Sequence, residues 1–155
     1  MRHIITILLQ NEAGALSRVA NLFSTRAYNI ESLAVAPTLD GAVSKVTLVT
    51  TGDDLVISQL ISQLRKLVDV VSVEDITQTR HAERELLLIK LRATSTNVAA
   101  VKKLIGQTDG HILSTSDTQL VAEVIGDEAS ISTFLTNVSA LADIVDAVRS
   151  GTLAI

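Results

Sequence analysis

The chain has 155 residues, 47% hydrophobic but only 2% aromatic, and its 13 Lys and Arg against 17 Asp and Glu leave a formal charge of −4. The absence of cysteine excludes a disulfide scaffold, and high aliphatic content with modest, mixed charge excludes intrinsic disorder. An acidic chain without a basic run is a poor partner for nucleic acid, and no apolar run approaches the roughly 20 residues of a membrane span.

The first nine residues resemble a short signal peptide only superficially. Their apolar stretch is broken by Thr6 and runs straight into Gln10-Asn11-Glu12, with no small-residue cleavage pattern behind it. Residues 3–9 are therefore expected to form a buried first strand of a cytoplasmic protein. From Gly14 onward, Leu16, Val19, Ala20, Phe23 and Ala27 recur at helical spacing and predict one apolar helix face. Ile30 to Ala36 reads as a strand stopped by Pro37. Asp40-Gly41 supplies a turn, and Val43 to Thr51 alternates, which together predict a β-hairpin. Asp53 and Asp54 suit a helix start, where carboxylates meet the positive end of the dipole. Ile57, Leu60, Ile61, Leu64 and Val68 give the second helical stripe, and Val70, Val71 and Val73 open a closing strand that runs out near Ile76.

Residues 77–85 form the one polar interval without an apolar pattern, so the linker is placed at 78–85, with Glu83-Arg84-Glu85 solvated. The second half repeats the order: Leu86–Leu91 as a strand, Val98, Val101, Leu104 and Ile105 as a helix face, and strands at Ile112–Thr115 and Gln119–Ile125. Ile131, Phe134, Leu135 and Val138 then form a helix face and Ile144–Val148 the last strand. Leu86–Leu91 is leucine-rich enough for a helix, and only its shortness argues strand. The expected class is α+β, with two tandem ferredoxin-like βαββαβ units at 1–77 and 86–155.

Catalytic signatures are missing. The seven glycines form neither G-x-G-x-x-G nor a P-loop. His3, His81 and His111 share no metal-ligand spacing, and without cysteine a structural zinc site is not expected. Asp53-Asp54 is better read as helix capping than as metal ligation. No catalytic and no metal-binding residues are assigned.

One segment carries a signal. Gln10 to Arg18 joins the first strand to the first helix through Gly14, and such a turn exposes helix-start N–H groups that suit an anion such as an α-carboxylate. Asn11 can offer both acceptor and donors to an ammonium and carboxylate pair. Equally, Asn11 can be a plain helix cap, with Gly14 merely letting the chain turn.

Asn11-Glu12-Ala13-Gly14-Ala15-Leu16, followed by Tyr28-Asn29-Ile30-Glu31-Ser32-Leu33, resembles the signature of an ACT regulatory domain. More narrowly, the run from Asn11 to Thr38 resembles the small regulatory subunit of acetohydroxyacid synthase (acetolactate synthase). The likeness continues thinly through Leu67-Val68-Asp69-Val70-Val71 and Glu83-Arg84-Glu85-Leu86 to Ile144-Val145-Asp146 and Arg149-Ser150-Gly151. The resemblance implies that 1–77 is an ACT domain that dimerises and binds a branched-chain amino acid, usually valine, at the dimer interface. Asn11, Ala13, Gly14, Ala15 and Leu16 would hold the ligand's carboxylate and amino groups, and Asn29 and Ile30 would close the site from the other copy. It also implies a separate catalytic large subunit carrying thiamine diphosphate, Mg and FAD, activated by this chain and made sensitive to feedback inhibition. No cofactor is expected on this chain itself.

Two departures stand out. Ala27 replaces the glycine that the family often carries in a left-handed turn before Tyr-Asn-Ile, which costs roughly 1 kcal/mol or shifts the turn. The chain also stops at Ile155, short of the family's polar tail, a difference expected to bear on large-subunit contacts. Two rival expectations are a free-standing tandem amino-acid sensor without a synthase partner and a small ferredoxin-like enzyme.

Overall fold

The computed structural model describes residues 1–155. Alternation of inward aliphatic residues builds β1 (Arg2–Gln10), which buries Ile5, Ile7 and Leu9 on one face. Helix α1 (Ala15–Thr25) lays Ala15, Val19 and Phe23 over that face. The hairpin of β2 (Ile30–Pro37) and β3 (Val43–Thr51) follows, closed at Thr38–Ala42 where Asp40 accepts the Ala42 N–H at 3.2 Å. Helix α2 (Asp54–Leu64) contributes Ile57, Leu60, Ile61 and Leu64, and β4 (Val70–Asp75) completes an antiparallel sheet of order β2-β3-β1-β4. Phe23 is fully buried in this core, which stabilises the fold by about 1.5–3 kcal/mol relative to exposure.

The second unit repeats the plan. β5 (Glu83–Arg92) turns Glu85, Leu87, Ile89 and Leu91 inward. It is followed by α3 (Val98–Gln107), β6 (His111–Thr115), β7 (Gln119–Gly126), α4 (Glu128–Ser139) and β8 (Ile144–Arg149), with strand order β6-β7-β5-β8. Val101, Ile105, Ile131, Phe134 and Val138 pack from the helices onto Leu87, Ile89 and Leu91. Both units are thus βαββαβ sandwiches, as the element order implied. A short β9 (Leu153–Ala154) ends the chain, and no helix is long and apolar enough to cross a membrane.

Contacts divide the chain into Met1–Ala82 with Thr152–Ile155, and Glu83–Gly151. The final four residues return to the first unit, where Ala154 packs with Ile4 and Val49 on the side of β1 away from the helices.

Several expectations are corrected. The polar interval is shorter than 78–85, because β5 already starts at Glu83. Glu85 is not solvated: it is buried and hydrogen-bonded by Arg149. Val68 lies beyond the end of α2 and is exposed; Ala27 likewise lies beyond the end of α1 and is exposed; and Leu16 sits on the outer side of α1, because the buried face begins one residue earlier at Ala15.

Ala27 keeps the turn that glycine would make. Its φ is +56°, and the end of α1 closes as a Schellman motif, with Tyr28 N–H on the Phe23 carbonyl at 3.0 Å and Ala27 N–H on the Ser24 carbonyl at 3.2 Å. A left-handed alanine carries about 1–2 kcal/mol of backbone strain, partly offset by the smaller entropy of its unfolded chain. Ala27→Gly is therefore expected to stabilise the first unit by up to about 1 kcal/mol, read as a higher urea midpoint at unchanged slope.

Candidate functional site

The loop between β1 and α1 is tied down on two sides. Gln10 donates its N–H to the Asp69 carbonyl at 2.8 Å, and Asn11 donates its own to the Ala42 carbonyl at 2.8 Å. The Asn11 side chain adds a bond from Nδ2 to the Gly41 carbonyl at 2.9 Å. Asn11 therefore laces the loop to the β2–β3 hairpin and is not the cap of α1. Gly14 holds the N-cap position at φ +86°, a conformation that glycine adopts without strain.

No side chain caps α1, and no acidic residue stands in its first turn. Helix α4 is the contrast: Asp127 accepts the Ser130 N–H at 2.8 Å, and Glu128 follows in the first turn. The start of α1 thus keeps the positive end of its dipole without a side-chain cap; the Ala15 N–H is taken by the Glu12 carbonyl at 3.2 Å, and the amides of Leu16 and Ser17 remain for a carboxylate.

Beneath the loop lies an ion pair between Arg18 and Asp69. Arg18 donates from Nη2 to Asp69 Oδ1 at 2.8 Å and from Nε to Oδ2. Asp69 is buried and Arg18 half-exposed. The Arg18 hydrogen bonds hold the Asp69 carboxyl below the usual carboxylate range against the opposing effect of burial, and the same bonds raise the guanidinium. Sequence reading quoted both residues without giving them a role. They stand 51 positions apart, and only a charged residue among the apolar neighbours of Val68 and Val70 hinted at a buried partner.

The expected site residues fall into two groups. Asn11, Ala13, Gly14, Ala15 and Leu16 come together at one end of the sheet. Ala15 faces the core and its N–H is taken by the Glu12 carbonyl at 3.2 Å, whereas Ala13 and Leu16 are exposed. Asn29 and Ile30 lie at the other end. Asn29 is exposed and its carbonyl accepts the Thr50 hydroxyl at 2.6 Å, while Ile30 leans on the first core and pairs with Thr50. Thr50 pairs with His3 and Val43 with Gln10. Seven strand residues at about 3.4 Å each put the two groups roughly 24 Å apart along β1. One chain does not bring them into one site.

Asp53 and Asp54 work as helix-start charges. Asp53 occupies the N-cap position of α2 without a side-chain capping bond, and Asp54 stands in the first turn. Asp54 lies 3.5 Å from Nε2 of the buried His3, whose Nδ1 is 2.9 Å from Asp75. Burial opposes ionisation of Asp75, but hydrogen bonds from Thr77 and then His3 outweigh it and lower its pKa.

Comparison with known proteins agrees with this fold. Residues 5–72 match the family described as the AHAS small subunit-like ACT domain, and residues 84–155 match the small subunit of acetolactate synthase. The fold and the family match thus define an ACT-domain protein with a second ferredoxin-like unit. The chain is 43% identical over 151 residues to the acetolactate synthase isozyme 3 small subunit of Salmonella typhimurium, covering 97% of this chain and 93% of that one. It is 41% identical over 156 residues to the acetolactate synthase small subunit of Buchnera aphidicola subsp. Baizongia pistaciae, covering 100% and 98%. A crystal structure of the acetolactate synthase small subunit from Thermotoga maritima superposes with a TM-score of 0.90 at 28% identity, covering 100% of this chain and 96% of that one. The chain belongs to the acetolactate synthase small-subunit family.

Proposed function

We propose that this chain is the regulatory subunit of an acetolactate synthase, sensing a branched-chain amino acid, valine first, between the ACT domains of a homodimer. It would dock on a thiamine-diphosphate-dependent catalytic subunit that also carries Mg and FAD, activate it, and pass on feedback inhibition. The single observation that carries the sensing role is the open start of α1 behind Gly14, in a chain of this family.

Dimerisation has its own support. β2 is an edge strand with one side unpaired within the chain. If two β2 edges pair antiparallel, the start of one strand meets the end of the other. The end of β2 lies beside Ala42, to which Asn11 is bonded. Asn29 and Ile30 of one copy would then approach the Asn11–Leu16 loop of the other, twice per two-fold dimer. Regulation follows by linkage: a ligand that prefers one arrangement of the dimer shifts the partner by its difference in affinity, typically 5–150-fold.

The test is calorimetric titration of the full chain with valine, lysine serving as control, followed by assay with the catalytic subunit. Saturable binding near one valine per chain, absent for lysine, with activation and valine inhibition of the partner is the expected result. No binding in either setting overturns the sensing role. Valine binding without any effect on an excess of catalytic subunit favours a free-standing sensor.

A further inference from the structure

The Arg18–Asp69 pair lies under the loop without belonging to it. Asp69 fixes both sides of the loop at once: its carbonyl receives Gln10 at the end of β1, and its carboxylate receives Arg18 in the second turn of α1. This bidentate grip occupies Nε and Nη2 of the guanidinium. The remaining nitrogen, Nη1, is turned toward Gly14, so near that a Cβ built on Gly14 would stand 3.1 Å from it. Nη1 therefore stands beside Gly14, the residue from which the first turn of α1 starts. The planar fork also limits the freedom of the group, so its free edge is held in place before any ligand arrives. Glu12, on the same loop, adds a weaker attraction on Arg18.

We propose that Arg18, braced by Asp69, is the cation that recognises the effector's α-carboxylate and makes the site selective for amino acids with a free carboxylate. The proposal rests on the sensing role argued above. Backbone amides at a helix start donate to any acceptor oxygen, whereas a guanidinium distinguishes a carboxylate from a neutral amide.

The experiment compares valine with valinamide, titrated into the full wild-type chain, Arg18→Lys, and the double variant Arg18→Gln with Asp69→Asn. The double variant leaves no buried carboxylate stranded, so it keeps the fold testable. Wild type is expected to prefer valine. The double variant should lose about tenfold or more in valine affinity, the equivalent of one charge-assisted hydrogen bond, with no loss for valinamide. Arg18→Lys should retain part of the preference. An unchanged valine-to-valinamide ratio in the double variant, whether both affinities hold or both fall together, overturns the proposal and leaves the pair a structural brace. If wild type binds no valine, the sensing role itself fails, an outcome distinct from loss of selectivity alone.

Discussion

Arg149→Met is expected to lower the stability of the second unit by about 3 kcal/mol. Glu85 is only 3% exposed, and both its oxygens are held by Arg149, from Nε at 2.7 Å and Nη2 at 2.6 Å. These bonds raise the pKa of the arginine further. Removing one partner of a buried pair leaves a desolvated charge and costs about 3–5 kcal/mol. Arg149 is itself partly exposed, so water reaches the vacated site and the lower end applies. For a unit of this size that corresponds to on the order of 15 °C in Tm. Glu85→Gln added to Arg149→Met should recover much of the loss, because a neutral amide is far less costly to bury. Hydrogen exchange is the suitable measurement. Amides of β5 and β8 should exchange faster, while emission from Tyr28, the sole tyrosine and a residue of the first unit, should keep its unfolding midpoint. Unchanged exchange of the β5 and β8 amides would mean that the pair contributes nothing net.

That pair was invisible to sequence reading for a physical reason. Periodicity reports which side of an element faces apolar neighbours, and it placed β1, the β2–β3 hairpin, α4 and β8 well. It carries nothing about which two charges meet after the chain has folded. Glu85 and Arg149 lie 64 positions apart, and Glu83-Arg84-Glu85 has the composition of a solvated segment. The leucine run at 86–91 was ambiguous on propensity. Tertiary pairing with β7 and β8 settles it as a strand, with alternate leucines facing the core and the outer surface. The reverse error occurred at Val68, where an apolar residue at helical spacing continued a stripe that the chain had already left. Ala27 repeats that error, since helical spacing counted it in the α1 stripe although it lies past Thr25 with a left-handed backbone, a position that only the family resemblance indicated. The loop at Asn11–Leu16 was local and legible. The distance between that loop and Asn29 was not, because it depends on strand register.

Gly14→Asp is expected to reduce valine affinity by a hundredfold or more while leaving the chain folded and able to activate its catalytic partner. Asp is among the residues that tolerate a left-handed backbone, so φ +86° costs it less than a β-branched residue would pay. The new side chain would start 3.1 Å from Arg18 Nη1 and need only a small shift to place its carboxylate on that nitrogen and over the helix-start amides. It would occupy, within the chain, the position proposed for the ligand's carboxylate. Two carboxylates about 4 Å apart repel by about 4 kcal/mol at the effective dielectric of a protein surface, which is close to a thousandfold in affinity before screening. Gly14→Ala separates charge from bulk: it adds the strain and the contact with Arg18 but no carboxylate, so it should weaken valine binding less. Equal loss in both variants would make Gly14 a purely conformational requirement of the loop. Loss of partner activation along with valine binding would place the loop in the docking surface and not in a sensing site.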